Sequence, residues 1–140
     1  MPPELPDHAE AGTQNVCGIC GLAAGLRFVQ QQTPQRLLAH EVRQRELLTS
    51  LLTDVPGVRL FTGEPQSGTL SLCAAQMDCE TLAARLAVKG VCVRSGLPCA
   101  PLAHESAGTL ETGTVRFSLS AFNTEQEIFR TADLLKEILA

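Results

Sequence analysis

Apolar and polar positions along the chain fall into two textures. From Val16 to Gln31 apolar residues fill almost every position, with Asn15 placed to cap the first turn and Gly21 and Gly25 small enough to admit another backbone. A helix that is apolar nearly all round needs cover from something else, so this stretch reads as an interface element. Thr33-Pro34 opens a second helix, running to about Thr53 along a rough stripe of Leu38, Val42, Leu48, Leu51 and Leu52. The segment from Asp54 to Gly57 ends it.

From Val58 the period shortens to two. Strands are predicted over 58–62 and 69–75 with a turn at 63–68 between them, then a helix over 79–89 capped by Asp78 and stopped by Gly90. Strands over 91–94 and 114–120 follow. Thr124 and Glu127 are spaced for a capping box, and Ile128, Ala132, Leu135 and Leu139 recur at helical spacing behind it. The order β-β-α-β-β-α, preceded by two helices, predicts an α+β fold with one antiparallel or mixed sheet and helices on one face. The expected organisation is a coil and interface helix over 1–32, a connecting helix over 33–55 and a small α+β domain over 56–140.

Composition narrows the function. A net charge of −4, with no Trp, no Tyr and 4% aromatics, argues against a nucleic-acid partner or an anionic membrane surface. The apolar run at 16–29 is too short to span a bilayer and lacks the basic start of a signal peptide. Six cysteines without a secretion signal point to free thiols in a reducing cytoplasm.

Two residues carry candidate chemistry. Cys99 sits between Pro98 and Pro101, where neither ladder nor helix can form around it, so it belongs to a surface loop with Arg94 and His104 at its ends. Spacing alone favours a spare thiol over a reactive one, since loop position raises exposure but does not lower a pKa. Along 114–120, Arg116, Ser118 and Ser120 share the face opposite Val115, Phe117 and Leu119. Alternation by itself favours a solvated strand arginine there. Cys17 and Cys20 have the spacing of half a zinc site, but no second pair completes four ligands, and burial as small hydrophobes explains 17, 20, 73 and 92 better. No metal is expected.

The stretches RSGLPCAPLAH at 94–104 and GTVRFSLSAFNTEQEI at 113–128 resemble the C-terminal part of the class V aminotransferase family, closest to its cysteine desulfurase branch. Upstream, EAGTQN at 10–15 and GICGLAAGLRF at 18–28 resemble the segment that follows the cofactor lysine in that family. The resemblance implies the small C-terminal domain of a fold type I enzyme that uses pyridoxal phosphate to take sulfur from L-cysteine. It implies that Cys99 is the nucleophile that becomes a persulfide and Arg116 the clamp on the substrate carboxylate. Arg94 would lie near the cofactor site, and Thr13 would reach the cofactor phosphate across a dimer. Pro98 stands where the family pattern has histidine.

The same resemblance marks a gap. Lys89 and Lys136 are the two lysines of the chain, and neither has the setting of the family's cofactor lysine. The expectation is therefore the last third of an enzyme, from a truncated gene, a split gene or an incomplete read, that binds no cofactor covalently by itself. Its partners would be L-cysteine, a sulfur-acceptor protein, and either a missing large domain or a homodimer partner. The alternative is a non-catalytic stand-alone domain that carries persulfide sulfur or only mediates association.

Overall fold

The computed structural model describes residues 3–6, 8, 9, 12–97 and 99–140, and the chain divides into two compact units, Met1–Pro34 and Gln35–Ala140. The first unit is built on α1 (Val16–Gln32). Asn15 Oδ1 accepts the Gly18 N–H at 3.0 Å, as a capping side chain should. Thr33 ends the helix with its N–H on the Val29 carbonyl at 2.8 Å and its own φ at +65°. No residue of α1 is buried. Val16, Ile19, Leu22, Leu26 and Val29 are all exposed, and their steps of three and four residues put them on one stripe.

The second unit holds α2 (Pro34–Leu52, opening on the last residue of the first unit), β1 (Val58–Phe61), β2 (Thr69–Ala74), α3 (Cys79–Val88), β3 (Arg94–Gly96), α4 (Pro101–Ala107), β4 (Thr114–Ser118) and α5 (Glu125–Leu139). The sheet runs β1-β2-β4-β3 with every pair antiparallel. Alternation decides its buried face: Leu70 and Leu72 of β2 and Val115 and Phe117 of β4 meet Leu48 and Leu52 of α2, Leu82 and Leu86 of α3, and Ile128 and Leu135 of α5. Each such side chain removed from water contributes about 1.5–3 kcal/mol, which makes this layer the main stabilising element.

The expected element order holds, with one addition and one shift. The addition is α4, inside the connection read as loop. Pro101 occupies its first turn, where a fixed φ suits a helix and the missing N–H costs nothing, and Gly108 closes it at φ +67°. This short helix lies across the sheet face opposite α2, α3 and α5. The shift concerns the strand expected over 91–94, which begins only at Arg94. Val91 still gives its N–H to Leu86 O at 2.9 Å, so the chain is tied to α3 before it can join the ladder.

On α2 the apolar stripe is looser than the pattern suggested. Leu38 is exposed, while Gln44 and Arg45 are buried. Arg45 Nη1 donates to Gln66 Oε1 at 3.2 Å, and Gln66 also accepts the Gly63 N–H at 2.9 Å. The Gln66 amide donates to Phe61 O at 3.3 Å and Thr69 O at 2.8 Å, so one side chain closes the β1–β2 hairpin. That fixes where the hairpin's outer residues stand.

Two helices carry acidic caps. The Thr81 N–H and hydroxyl hold the Asp78 carboxyl below its usual range, and the Thr124 N–H, with Asn123, does the same for Glu127. A carboxyl with a depressed folded pKa stabilises the fold above its unfolded value and loses that contribution as pH falls through the folded one. The thermal midpoint should therefore drop as pH falls below the ordinary values of 3.8 for Asp78 and 4.5 for Glu127. Asp78→Ala should melt earlier than the parent chain at pH 7, with the gap narrowing as pH falls below 3.8. An unchanged gap in a calorimetric pH series would assign the loss to something other than the cap.

Candidate functional site

The sheet face turned away from the core carries a row of four residues in register. Phe61 lies opposite Ser71, Ser71 opposite Arg116, and Arg116 opposite Arg94. Cross-strand partners project to the same side, so two guanidinium groups stand side by side on one surface. Like charges in that arrangement repel, and neither arginine forms an ion pair among the described residues. Arg116 Nε is shut off from solvent without a hydrogen-bond partner. An orphaned buried donor costs about 1–3 kcal/mol, which an anion seated on the guanidinium would relieve.

α4 covers this face. Ala100, at its start, and His104, on its inner side, line a cavity of about 170 Å3 together with Phe61, Ser71, Thr114 and Arg116. That is below the ~300–1,000 Å3 of drug-sized ligand sites, so the space suits a small amino acid or carboxylate. The helix is held at two points. Arg59 stacks on Phe61, 4.6 Å from guanidinium carbon to ring centre, and its Nη2 donates to Ala107 O at 3.4 Å, a cation at the negative helix end. His104 Nδ1 lies 2.8 Å from Thr109 Oγ1, both side chains being buried.

Cys99 precedes Ala100 directly and is exposed. Its φ of +59° is a left-handed conformation that costs a non-glycine residue about 1–3 kcal/mol. Arg94 is exposed on the edge strand β3. Thr13 is exposed in the first unit. The expectation attached to Pro98 lies outside the described residues.

The other thiols divide differently from the expectation that 17, 20, 73 and 92 are buried. Cys17, Cys20 and Cys92 are exposed, Cys73 is half-buried, and the buried one is Cys79. Burial pushes the Cys73 thiol up, partly offset by Thr112 and Arg59, and burial with the neighbouring Glu80 pushes Cys79 up. Both therefore stay protonated and poor as nucleophiles at neutral pH. No cluster of three metal-ligating side chains occurs among the described residues. Ser71, Phe61 and Arg59 went unnoticed in the sequence. Period-2 alternation puts Ser71 on the outer face, but only the strand register sets it beside Arg116.

Comparison with known proteins places this geometry. The sequence profile of the class V aminotransferases matches residues 3–130. The chain belongs to the class V aminotransferase family. A probable cysteine desulfurase of Methanothermobacter thermautotrophicus is 34% identical over 139 residues, covering 96% of this chain and 34% of the relative. One from Mycolicibacterium paratuberculosis is 38% identical over 124 residues, covering 88% of this chain and 18% of the relative. The fold superposes on the apo cysteine desulfurase of Thermococcus onnurineus with a TM-score of 0.82 at 28% identity, over 96% of this chain and 34% of that one. The chain thus spans about a third or less of the proteins it matches, and corresponds to the part of a fold type I enzyme that carries the small α+β domain.

Complete members of this class V branch use pyridoxal phosphate, whose aldehyde is held by a lysine amine. The lysines of this chain do not fit that role. Lys89 closes α3 and pairs with Glu137 at 2.9 Å, and Lys136 lies on α5, so both belong to helices packed on the sheet face opposite Arg116. The donor set of the cavity fits a carboxylate and offers no Schiff base. Among the described residues no helix is long and apolar enough to cross a membrane.

Proposed function

We propose that this chain supplies the carboxylate clamp and the sulfur nucleophile of a cysteine desulfurase. Arg116 grips the α-carboxylate of L-cysteine with two parallel hydrogen bonds, which fixes the orientation of the substrate as well as its affinity. Cys99 takes the sulfur: the carbon–sulfur bond of the substrate breaks, a sulfur–sulfur bond forms on Cys99, and the carbon keeps the electron pair and a proton and leaves as alanine. Arg94 lends positive charge to the same face, and Thr13 serves the cofactor phosphate of a second subunit in a dimer. The observation that carries the reading is that Ala100, next to Cys99, and Arg116 are walls of one cavity.

The remaining parts of the reaction belong to groups outside this chain's lysines, and the exposed stripe of α1 is the surface that those groups or a second subunit would cover. Leu97 and Leu102 are exposed on either side of Cys99 and give a sulfur-acceptor protein an apolar footing. The six unpaired cysteines suit a reducing cytoplasm. The positions of Lys89 and Lys136 favour a second reading as well, a stand-alone domain that carries persulfide on Cys99 without turnover.

With L-cysteine and pyridoxal phosphate, the chain by itself should release no alanine, and it should sediment as more than a monomer. Alanine release by it alone would overturn the division of roles, and a clean monomer at low salt would overturn the interface. Offered polysulfide, the chain should carry sulfane sulfur on the Cys99 peptide ahead of those of Cys73 and Cys79. Label spread evenly over the cysteines would remove Cys99 from the site.

A further inference from the structure

His104 lines the cavity that Arg116 shares, yet the reaction outlined above gives it no part. Its ring is fixed: Nδ1 is 2.8 Å from Thr109 Oγ1, and the Thr109 N–H closes on His104 O at 2.8 Å just past the left-handed Gly108. Thr109 is 2% exposed and His104 7%, so the pair is sealed under α4. Of the residues lining the cavity, Arg116 and His104 alone can carry charge, and histidine is the one whose charge changes near neutrality.

We propose that a carboxylate bound at Arg116 is held jointly with His104, which takes up a proton from solvent as the anion enters. The inference rests on the carboxylate reading of the site and specifies it. The surroundings supply the reason. Arg116 on β4 faces the cavity, Arg94 stands next to it on β3, and Arg59 on β1 reaches the end of α4. On the imidazole's own helix, Glu105 is exposed, Glu111 in the connection to β4 is exposed, and Cys99 lies ahead of the helix. None of the lining residues is a carboxylate. A bound carboxylate neutralises Arg116 and adds a negative neighbour, which favours the imidazolium. Binding and protonation are then linked, and each must strengthen the other.

The test is a ring-resonance titration of the ^13C-histidine-labelled full chain with and without L-alanine, a carboxylate lacking the reactive sulfur. His8 and His40 serve as internal controls. The His104 titration curve should move to higher pH by about half a unit or more on adding L-alanine. In Arg116→Met it should not move. L-alanine affinity should weaken with rising pH in the parent chain and become flat in His104→Gln, and Thr109→Val, which frees the ring without removing it, should give an intermediate slope. A His104 curve indifferent to L-alanine that nonetheless binds would overturn the linkage. Absence of any L-alanine binding in the parent chain would instead overturn the carboxylate reading beneath it. The parent-chain titration decides between these outcomes even if the His104 variant does not fold.

Discussion

Arg116→Ala should lose at least about 30-fold in affinity for L-cysteine or L-alanine while the fold stays as stable as the parent or becomes slightly firmer. The two effects have one origin. A buried or half-buried guanidinium bound bidentately to a carboxylate is worth about 2 kcal/mol or more when removed, and 2 kcal/mol corresponds to roughly 30-fold in binding. In the unliganded chain the same group is a burden. It stands directly opposite Arg94, and its Nε is sealed from water with no acceptor. Relieving a like-charge cross-strand pair returns about 0.2–1 kcal/mol, set against some lost packing of the side-chain stem. Arg116→Lys should recover part of the affinity, since an ammonium supplies charge without the planar fork. Calorimetric binding and thermal melting on the same preparations read both effects. A variant that loses stability and affinity together would mean that Arg116 is a structural residue and that the cavity is not built around it.

Gly113→Ala should be the most damaging single-methyl change in the second unit, costing about 2–5 kcal/mol. Gly113 is buried just before β4 with φ +61°, where a side chain costs about 1–2 kcal/mol from its own backbone. An added Cβ would also meet Gly96 Cα at 2.8 Å and Cys79 Sγ at 2.9 Å. The first is main chain of the neighbouring strand, which cannot swing aside as a side chain would, so overpacking adds about 1–3 kcal/mol. The damage falls on the contact between β3 and β4, and hence on the pairing of Arg94 with Arg116. Gly108→Ala is the control. Its φ is +67°, but nothing lies within 4 Å of the added methyl, so only the conformational cost of about 1–2 kcal/mol applies. Urea midpoints for the two variants separate the effects. Equal losses would show that the strands close on Gly113 less tightly than the distances say.

Legibility followed the range of the interaction. Asn15, Asp78 and the Thr124–Glu127 box each act within one helical turn, and the sequence showed them with the bonds the structure has. The two faces of β4 were equally legible, because alternation needs no knowledge of a partner. Cys99 between prolines could only be irregular and exposed. The prolines concealed something too: Pro101, read as a breaker, starts α4, since a proline that forbids a helix interior favours a helix start. Burial of the cysteines was misjudged for a different reason. Hydrophobicity ranks Cys among core residues, but exposure of Cys17, Cys20 and Cys92 depends on what else packs there.

What the sequence determined alone was the set of elements other than α4, their caps, the outward aim of Arg116 and the motifs shared with the class V aminotransferases. Only the tertiary structure decided that β4 inserts between β2 and β3, that α4 folds over the outer face, and that Ser71, Arg116 and Arg94 therefore form one row with His104 above it. The reason is physical. Periodicity is a property of a few consecutive residues, whereas strand order and register are chosen by the whole buried layer of Leu70, Leu72, Val115 and Phe117 closing against three helices, and a one-residue slip would turn every one of them to the wrong side.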